Sequence, residues 1–117
     1  MFYDCKLLSE FILPNTITEF GANMFRNTRA VSITIPSGVT SIGNYCFYNC
    51  NFLETLTIPS SVTSIGAECF RYCYNLTNLD ISSTTVTTLG TNVFANCTSL
   101  SSITLPDTVT SLGNTCF

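Results

Sequence analysis

The chain has no histidine and no tryptophan, and only 9% of its 117 residues are charged. Without histidine there is no imidazole to serve as a general base near neutral pH, no triad base, and one common metal ligand fewer. Four basic side chains stand against seven acidic ones, a net charge of −3. A nucleic-acid footprint or an anionic lipid surface calls for the opposite balance, so neither is expected as a partner. No apolar run approaches about 18 residues, which excludes a membrane-spanning helix. The first residues, MFYDCKLLSEF, lack a basic start and a continuous apolar stretch, so they do not read as a signal peptide. With 45% hydrophobic residues and so little charge, the chain does not read as disordered either.

What the sequence does have is a repeat. Glycines fall at Gly21, Gly43, Gly66, Gly90 and Gly113, in steps of 22, 23, 24 and 23 residues. Phe25, Phe47, Phe70, Phe94 and Phe117 follow four residues later in the same steps, and Phe2 opens the register one copy earlier. A sustained period in the low twenties means a solenoid, in which each unit buries its apolar side only against its neighbours. The pattern is clearest in Leu53–Phe70, LETLTIPSSVTSIGAECF. Leu56 and Ile58 alternate with Thr57, so this stretch predicts a short strand with both apolar side chains facing in. The equivalent set in the first copy is Leu8, Phe11 and Leu13. Pro14, Pro36, Pro59 and Pro106 follow the strand and end its ladder, since proline has no amide donor. Val39, Val62, Val86 and Val109, paired with Ile42, Ile65, Leu89 and Leu112, predict a second buried column. The glycine beside them is expected to relax a tight turn, and the phenylalanine to cap the core on its outer side. The remaining connections read as short turns, with little or no α-helix. One residue is lost near Thr28–Val31. Ser82 replaces the proline in the fourth copy, and one residue is gained in Ser82–Thr85. Both changes fall in expected loops, where they cost little.

Seven cysteines occupy two columns of the same repeat. Cys46, Cys69 and Cys116 precede the phenylalanine; Cys5, Cys50, Cys73 and Cys97 lie three residues after it, with Thr28 completing the column. The spacing C-F-x-x-C raises zinc, which favours thiolates in structural sites. A core column gives the same spacing, however, and buried free cysteine behaves as a small hydrophobe. Buried thiols are therefore the expected reading, with a disulfide or a metal as the alternatives and no cofactor expected. Glu54, Glu68, Asp80 and Asp107 sit at different repeat positions, with no base or second acid at motif spacing, and read as surface charge. Asn75-Leu-Thr77 and Asn96-Cys-Thr98 are N-glycosylation sequons.

The whole pattern, L-x-x-L-x-I-P-x-x-V-x-x-I-G-x-x-x-F-x-x-C-x-x-L, resembles the BspA-like leucine-rich repeat, and the resemblance covers essentially the entire chain. It implies a leucine-rich-repeat solenoid with parallel strands on the concave face. It also implies a surface or secreted protein that binds host protein, matrix or other cells, and it brings no enzymatic residues. One departure is cysteine before the phenylalanine where family members often carry alanine.

The expectation is thus a single domain over residues 1–117, of about five repeats of 22–24 residues. Its role is that of a non-enzymatic recognition module for a protein or glycan. The strand residues facing outward would form its surface: Ser32, Thr34, Thr55, Thr57, Asn78, Asp80, Ser102 and Thr104, with Glu10 and Ile12 at the edge. The bland alternative is a solvated, strand-favouring face, since threonine suits exposed strands. A structural or self-assembling scaffold is the competing class. Neither end shows the polar cap that terminal repeats normally carry, so membership of a longer array, or end-to-end self-association, is expected.

Overall fold

The computed structural model describes residues 2–5 and 10–117, with Glu10 described through its backbone alone. Leu8, one of the expected core positions, lies outside the described residues. Among the described residues, nine short strands run in chain order: β1 Glu10–Phe11, β2 Glu19–Phe20, β3 Ser32–Ile33, β4 Ser41–Ile42, β5 Thr55–Thr57, β6 Ser64–Ile65, β7 Asn78–Asp80, β8 Thr88–Leu89 and β9 Ser111–Leu112. Among the described residues there is no helix.

The strands form two sheets that take alternate strands as far as β8, which pairs with the next strand, β9. The first runs β1-β3-β5-β7 and the second β2-β4-β6-β8-β9. All pairings are parallel and fall on equivalent repeat positions: Ser32 opposite Thr55, Thr55 opposite Asn78, Leu56 opposite Leu79. The first sheet is the expected one, shifted one residue towards the N-terminus, so that Ile58 and Ile81 lie just past the strand ends. In the fifth copy it thins to a single bridge between Asp80 and Thr104. The second sheet corrects the expectation of short turns alone. Its strands are only two residues long, too short to show a period of two, yet Ile42 pairs with Ile65, Ile65 with Leu89, and Leu89 with Leu112.

Between the sheets lies one continuous core. Val39, Val62 and Val86 are completely buried, and Ile42 and Leu89 nearly so. The column opens at its last member, where Leu112 is 51% exposed. The phenylalanines do more than cap this core. Phe25, Phe47, Phe70 and Phe94 are buried in it. Rings of Phe2, Phe25, Phe47, Phe70, Phe94 and Phe117 stack in sequence, with centroids 5.3–5.6 Å apart. Interplanar angles of 3–4° in the middle of this stack mean parallel, offset rings, a favoured arrangement for aromatic pairs. In the shortened second copy Ala30 is buried where its neighbours use leucine, while Val31 is exposed.

A third wall closes the solenoid. It consists of turns that bond to the next rung as strands would. Asn23, Phe25 and Asn27 donate their amides to the carbonyls of Asn44, Cys46 and Tyr48, and Tyr45, Phe47 and Asn49 donate in turn to Ala67, Cys69 and Arg71. Within a rung, tight turns follow one another: Met24 N–H bonds to Gly21 O and Arg26 N–H to Asn23 O. Positive φ recurs in this wall at Asp4, Asn23, Asn27, Tyr45, Asn49, Glu68, Tyr72, Asn92, Asn96 and Thr115. Asparagine, which tolerates the left-handed region best after glycine, takes half of these places.

The glycines correct another expectation, because none has positive φ. What they permit is close approach. A Cβ on Gly43 would lie 2.7 Å from Ala22 N, one on Gly66 2.6 Å from Gly43 C, and one on Gly113 2.5 Å from Gly90 C. Each of these three glycines also donates its amide one rung back, Gly66 to Ile42 O at 2.8 Å. The rungs meet backbone to backbone at this column, and a side chain there would hold them apart.

Candidate interaction surface

Polar side chains at the strand entries and in the turns help to hold rungs together. Thr40, Thr63 and Thr110 each donate a hydroxyl to the carbonyl of the matching threonine one rung back, at 3.1–3.3 Å. Ser61 and Thr108 do the same towards Val39 and Val86. On the turn wall, Asn49 Nδ2 donates to Asn27 Oδ1 at 2.9 Å.

Thr77, just before β7, likewise donates to Glu54 O at 3.1 Å, but the residues that face outward along the first sheet do not. Ser32, Thr34, Thr55, Thr57, Asn78, Asp80, Ser102 and Thr104 are all exposed. The register places Ser32, Thr55 and Asn78 in one row and Thr57, Asp80 and Thr104 in the next. Apart from Asp80, none of these side chains forms a hydrogen bond with the described residues. Their donors and acceptors all face solvent, aligned at the rung spacing. The face is not flat. A depression of about 320 Å³ is lined by Ser32, Thr34, Thr55, Thr57 and Pro59. A second of about 280 Å³ lies beside it, over Ile12, Asn15, Thr34 and Pro36. Thr34 borders both, and Ile12, 97% exposed, is the apolar element of the second.

Asp80 has a local task. Its Oδ1 accepts from the amide and the hydroxyl of Ser82, at 2.9 and 2.7 Å. Those two bonds hold its carboxyl below the usual carboxylate range. This closure stands where the other copies have proline, and the extra residue is absorbed as Thr84 turns in, buried, to donate to Ile81 O. Asp80 is therefore a turn residue first, and one oxygen fewer is open to a ligand.

All seven cysteines are free, and all but Cys5 are buried. The second column uses its thiols as weak donors: Cys50, Cys73 and Cys97 Sγ each donate to the carbonyl of the phenylalanine one rung back, at 3.0–3.1 Å. Thr28 takes the same column with a hydroxyl, 3.6 Å from Cys50 Sγ. Burial pushes Cys97 up to about 11 and also raises Cys46, Cys69 and Cys73 above the usual thiol range. Thiols kept neutral in this way are poor nucleophiles and poor metal ligands. Among the described residues no three His, Cys, Asp or Glu side chains come together in a group that could hold a metal ion.

The BspA type leucine rich repeat region matches residues 1–117, in six copies. The chain belongs to the BspA-type leucine-rich repeat family. Among solved structures, a leucine-rich repeat protein of T. pallidum is similar over 86% of this chain and 47% of its own, at 28% identity and a TM-score of 0.77. One from Eubacterium ventriosum covers 94% of this chain and 42% of its own, at 26% identity and a TM-score of 0.61. One from Bacteroides ovatus covers 97% and 42%, at 23% identity and a TM-score of 0.62, a likeness that bears on the fold alone. This BspA-type chain spans less than half the length of each of these neighbours. Among curated proteins, none matches it.

One surface group escapes the repeat pattern. Tyr3, Tyr45, Tyr48, Tyr72 and Tyr74 are all the tyrosines in the chain, and all border the turn wall. Arg26 and Arg71 lie among them, with guanidinium carbons 4.7 Å above the rings of Tyr48 and Tyr72. These residues occupy several different repeat positions, so a reading by columns passes over them. The available signal is that no tyrosine falls within a strand of either sheet.

Proposed function

We propose that this chain is a non-enzymatic recognition module of a surface or secreted protein, and that it binds a protein or glycan across the outward face of the first sheet. The observation that carries this reading is a regular row of unengaged polar groups. Hydroxyls just before the strands, of Thr40, Thr63 and Thr110 beside the second sheet and of Thr77 beside the first, are engaged with neighbouring rungs. Those of Ser32, Thr34, Thr55, Thr57, Ser102 and Thr104, and the amide of Asn78, are left unengaged in a regular array. Each such group adds a modest hydrogen bond to a ligand, about 0.5–1.5 kcal/mol net, so affinity would come from many rungs acting together. Adjoining depressions at Thr34 give the array some relief, and concave faces of solenoids are the usual place for such contacts. The surface or secreted setting rests on the family resemblance.

The test compares the chain with a Thr34→Arg/Thr57→Arg variant for binding to purified matrix proteins and a glycan panel. Both positions are exposed and free of internal bonds, so the fold should survive, each change costing within about 0.5 kcal/mol. Circular dichroism checks that. Binding by the wild type and its loss in the variant support the reading. Binding that persists in the variant, or none by either, sinks it and favours a structural element that extends an array.

A further inference from the structure

The turn wall carries a second surface of different chemistry. Arg26 lies over the ring of Tyr48 at 4.7 Å and within 6.0 Å of Tyr3 and Tyr45. Tyr48 meets Tyr72 edge-on at 5.4 Å, and Tyr72 meets Tyr74 at 5.9 Å. Arg71 lies over Tyr72 and is held there by Glu68 at 2.9 Å and by the Tyr72 hydroxyl at 2.8 Å. On the flank, Arg29 lies 5.4 Å over the exposed ring of Phe52, at a cleft of about 270 Å³ lined also by Asp4, Asn27, Asn49 and Asn51. The patch crosses three rungs without a break.

Its charge is unlike the rest of the molecule. Three of the four basic residues are here, and among the described side chains they stand against Asp4 and Glu68. So the edge is net positive on a protein of net charge −3. Among the described residues, Arg26 and Arg29 have no carboxylate within 4 Å. Arg26 Nη1 reaches only Asn23 Oδ1 at 3.2 Å, and its Nε finds no acceptor, as is also true of Arg71 Nε. The charges of Arg26 and Arg29 are thus left without a carboxylate among the described residues, and an incoming anion can pair with their outer nitrogens.

We propose that this tyrosine–arginine edge is a second interaction surface, and that its partner is an acidic protein segment whose carboxylates pair with Arg26 and Arg29. Tyrosine and arginine are the residues most enriched where protein interfaces draw their energy. Arginine also matches a carboxylate with two parallel hydrogen bonds, which fixes the partner's register as well as its charge. A glycan fits less well. Sugars lie on open ring faces, and here Tyr48 and Tyr72 each already carry a guanidinium on one face while their rings meet edge to face. The edge is separate from the Ser/Thr face of the first sheet, and the inference stands independently of that reading.

The experiment is fluorescence polarisation with a labelled synthetic peptide of glutamate and phenylalanine, its glutamine counterpart, and a heparin oligosaccharide. The glutamate peptide should bind saturably and weaken with salt, because screening shortens the reach of exposed charges. The glutamine peptide should not bind. Arg26→Gln/Arg29→Gln should weaken binding at least about tenfold, the scale on which loss of a well-paired interface charge is felt. Arg29→Gln alone, at an exposed side chain with no hydrogen bond of its own, covers the case in which changing Arg26 disturbs the local turns. A neutral Thr34→Gln/Thr57→Gln variant should bind as the wild type does. No saturable binding, binding indifferent to both arginine variants, or preference for heparin over the peptide each overturns the proposal.

Discussion

Replacing Gly66 by alanine adds a single methyl group at the one column where rungs touch backbone to backbone. That methyl would lie 2.6 Å from Gly43 C and 2.5 Å from Asn44 Oδ1. Carbon atoms pack best at about 3.5–4.0 Å, so the rungs must separate by roughly an ångström or the backbone must bend. Overpacking of this kind costs about 1–3 kcal/mol. The upper end applies here, because the atoms met are mostly backbone and the displaced amide is the one bonded to Ile42 O at 2.8 Å. Against this, alanine removes conformational freedom from the unfolded chain, about 0.4–1 kcal/mol in favour of folding. The net is a loss of about 2 kcal/mol, or a fall in Tm of about 6–12 °C for a domain of this size. Gly21→Ala is the internal control. A Cβ there meets none of the described residues within 4 Å, and its φ is not positive, so only the favourable term remains and Tm should rise by a few degrees. Gly90→Ala falls between them, with Ala67 Cα at 3.2 Å. Thermal unfolding followed by circular dichroism should rank the variants Gly21→Ala, Gly90→Ala, Gly66→Ala from most to least stable. Equal losses at all three positions would mean that the glycines serve backbone conformation after all, and the close-approach account would fall.

Two further outcomes follow from the core. Phe47→Ala removes a buried ring stacked between Phe25 and Phe70, and should cost about 3–5 kcal/mol, whereas Phe117→Ala, at a ring 58% exposed, should cost far less; denaturant melts that gave both the same loss would contradict the ring ladder. Burial raises the folded-state pKa of Cys97 from 9.0 to about 11, so thiols in the unfolded chain give up their protons first as pH rises. The stabilisation is complete below about pH 9 and drains away towards pH 11, by linkage between protonation and folding. The urea midpoint of the wild type should therefore be lower at pH 10 than at pH 8, and this fall should shrink in Cys97→Val; the same pH dependence in both would remove Cys97 as its source.

The parts of the fold legible in the sequence are those that repeat by residue type. Val39, Val62 and Val86 point to a buried column because the same apolar residue returns at the same phase, and Leu56 with Leu79 fixes the first sheet in the same way. The second sheet was not legible, since strands such as Ser64–Ile65 are too short to alternate and are held by pairing with the next rung. The glycine column was visible but its reason was not. A contact between Gly66 and Gly43 is a relation across the stack, whereas positive φ is a property of one residue, and it falls on Glu68 and Tyr45 instead. Asp80 shows the same limit at the candidate site. Its place in the outward row follows from register, but the turn it closes with Ser82 depends on where the missing proline leaves the chain.

Stacking also decides where recognition can reside. In a parallel solenoid each outward side chain stands about 4.8 Å from its counterpart on the next rung, close enough for the two to interact. A side chain that reaches its neighbour becomes part of the fold. The Thr63 hydroxyl bonds to Thr40 O, and Cys73 Sγ to Phe47 O, so substitution at either carries a stability cost. A side chain that does not reach is set by no internal requirement. Thr57 and Thr34 are of this kind, as is the outer edge of the Arg26 guanidinium. Surfaces of the second sort can change from protein to protein while the rungs stay fixed, which is how one repeat comes to serve many partners. The two candidate surfaces both meet that condition, by different chemistries: one by hydroxyls that no rung claims, the other by the guanidiniums of Arg26 and Arg29, which rings position and no carboxylate among the described residues neutralises.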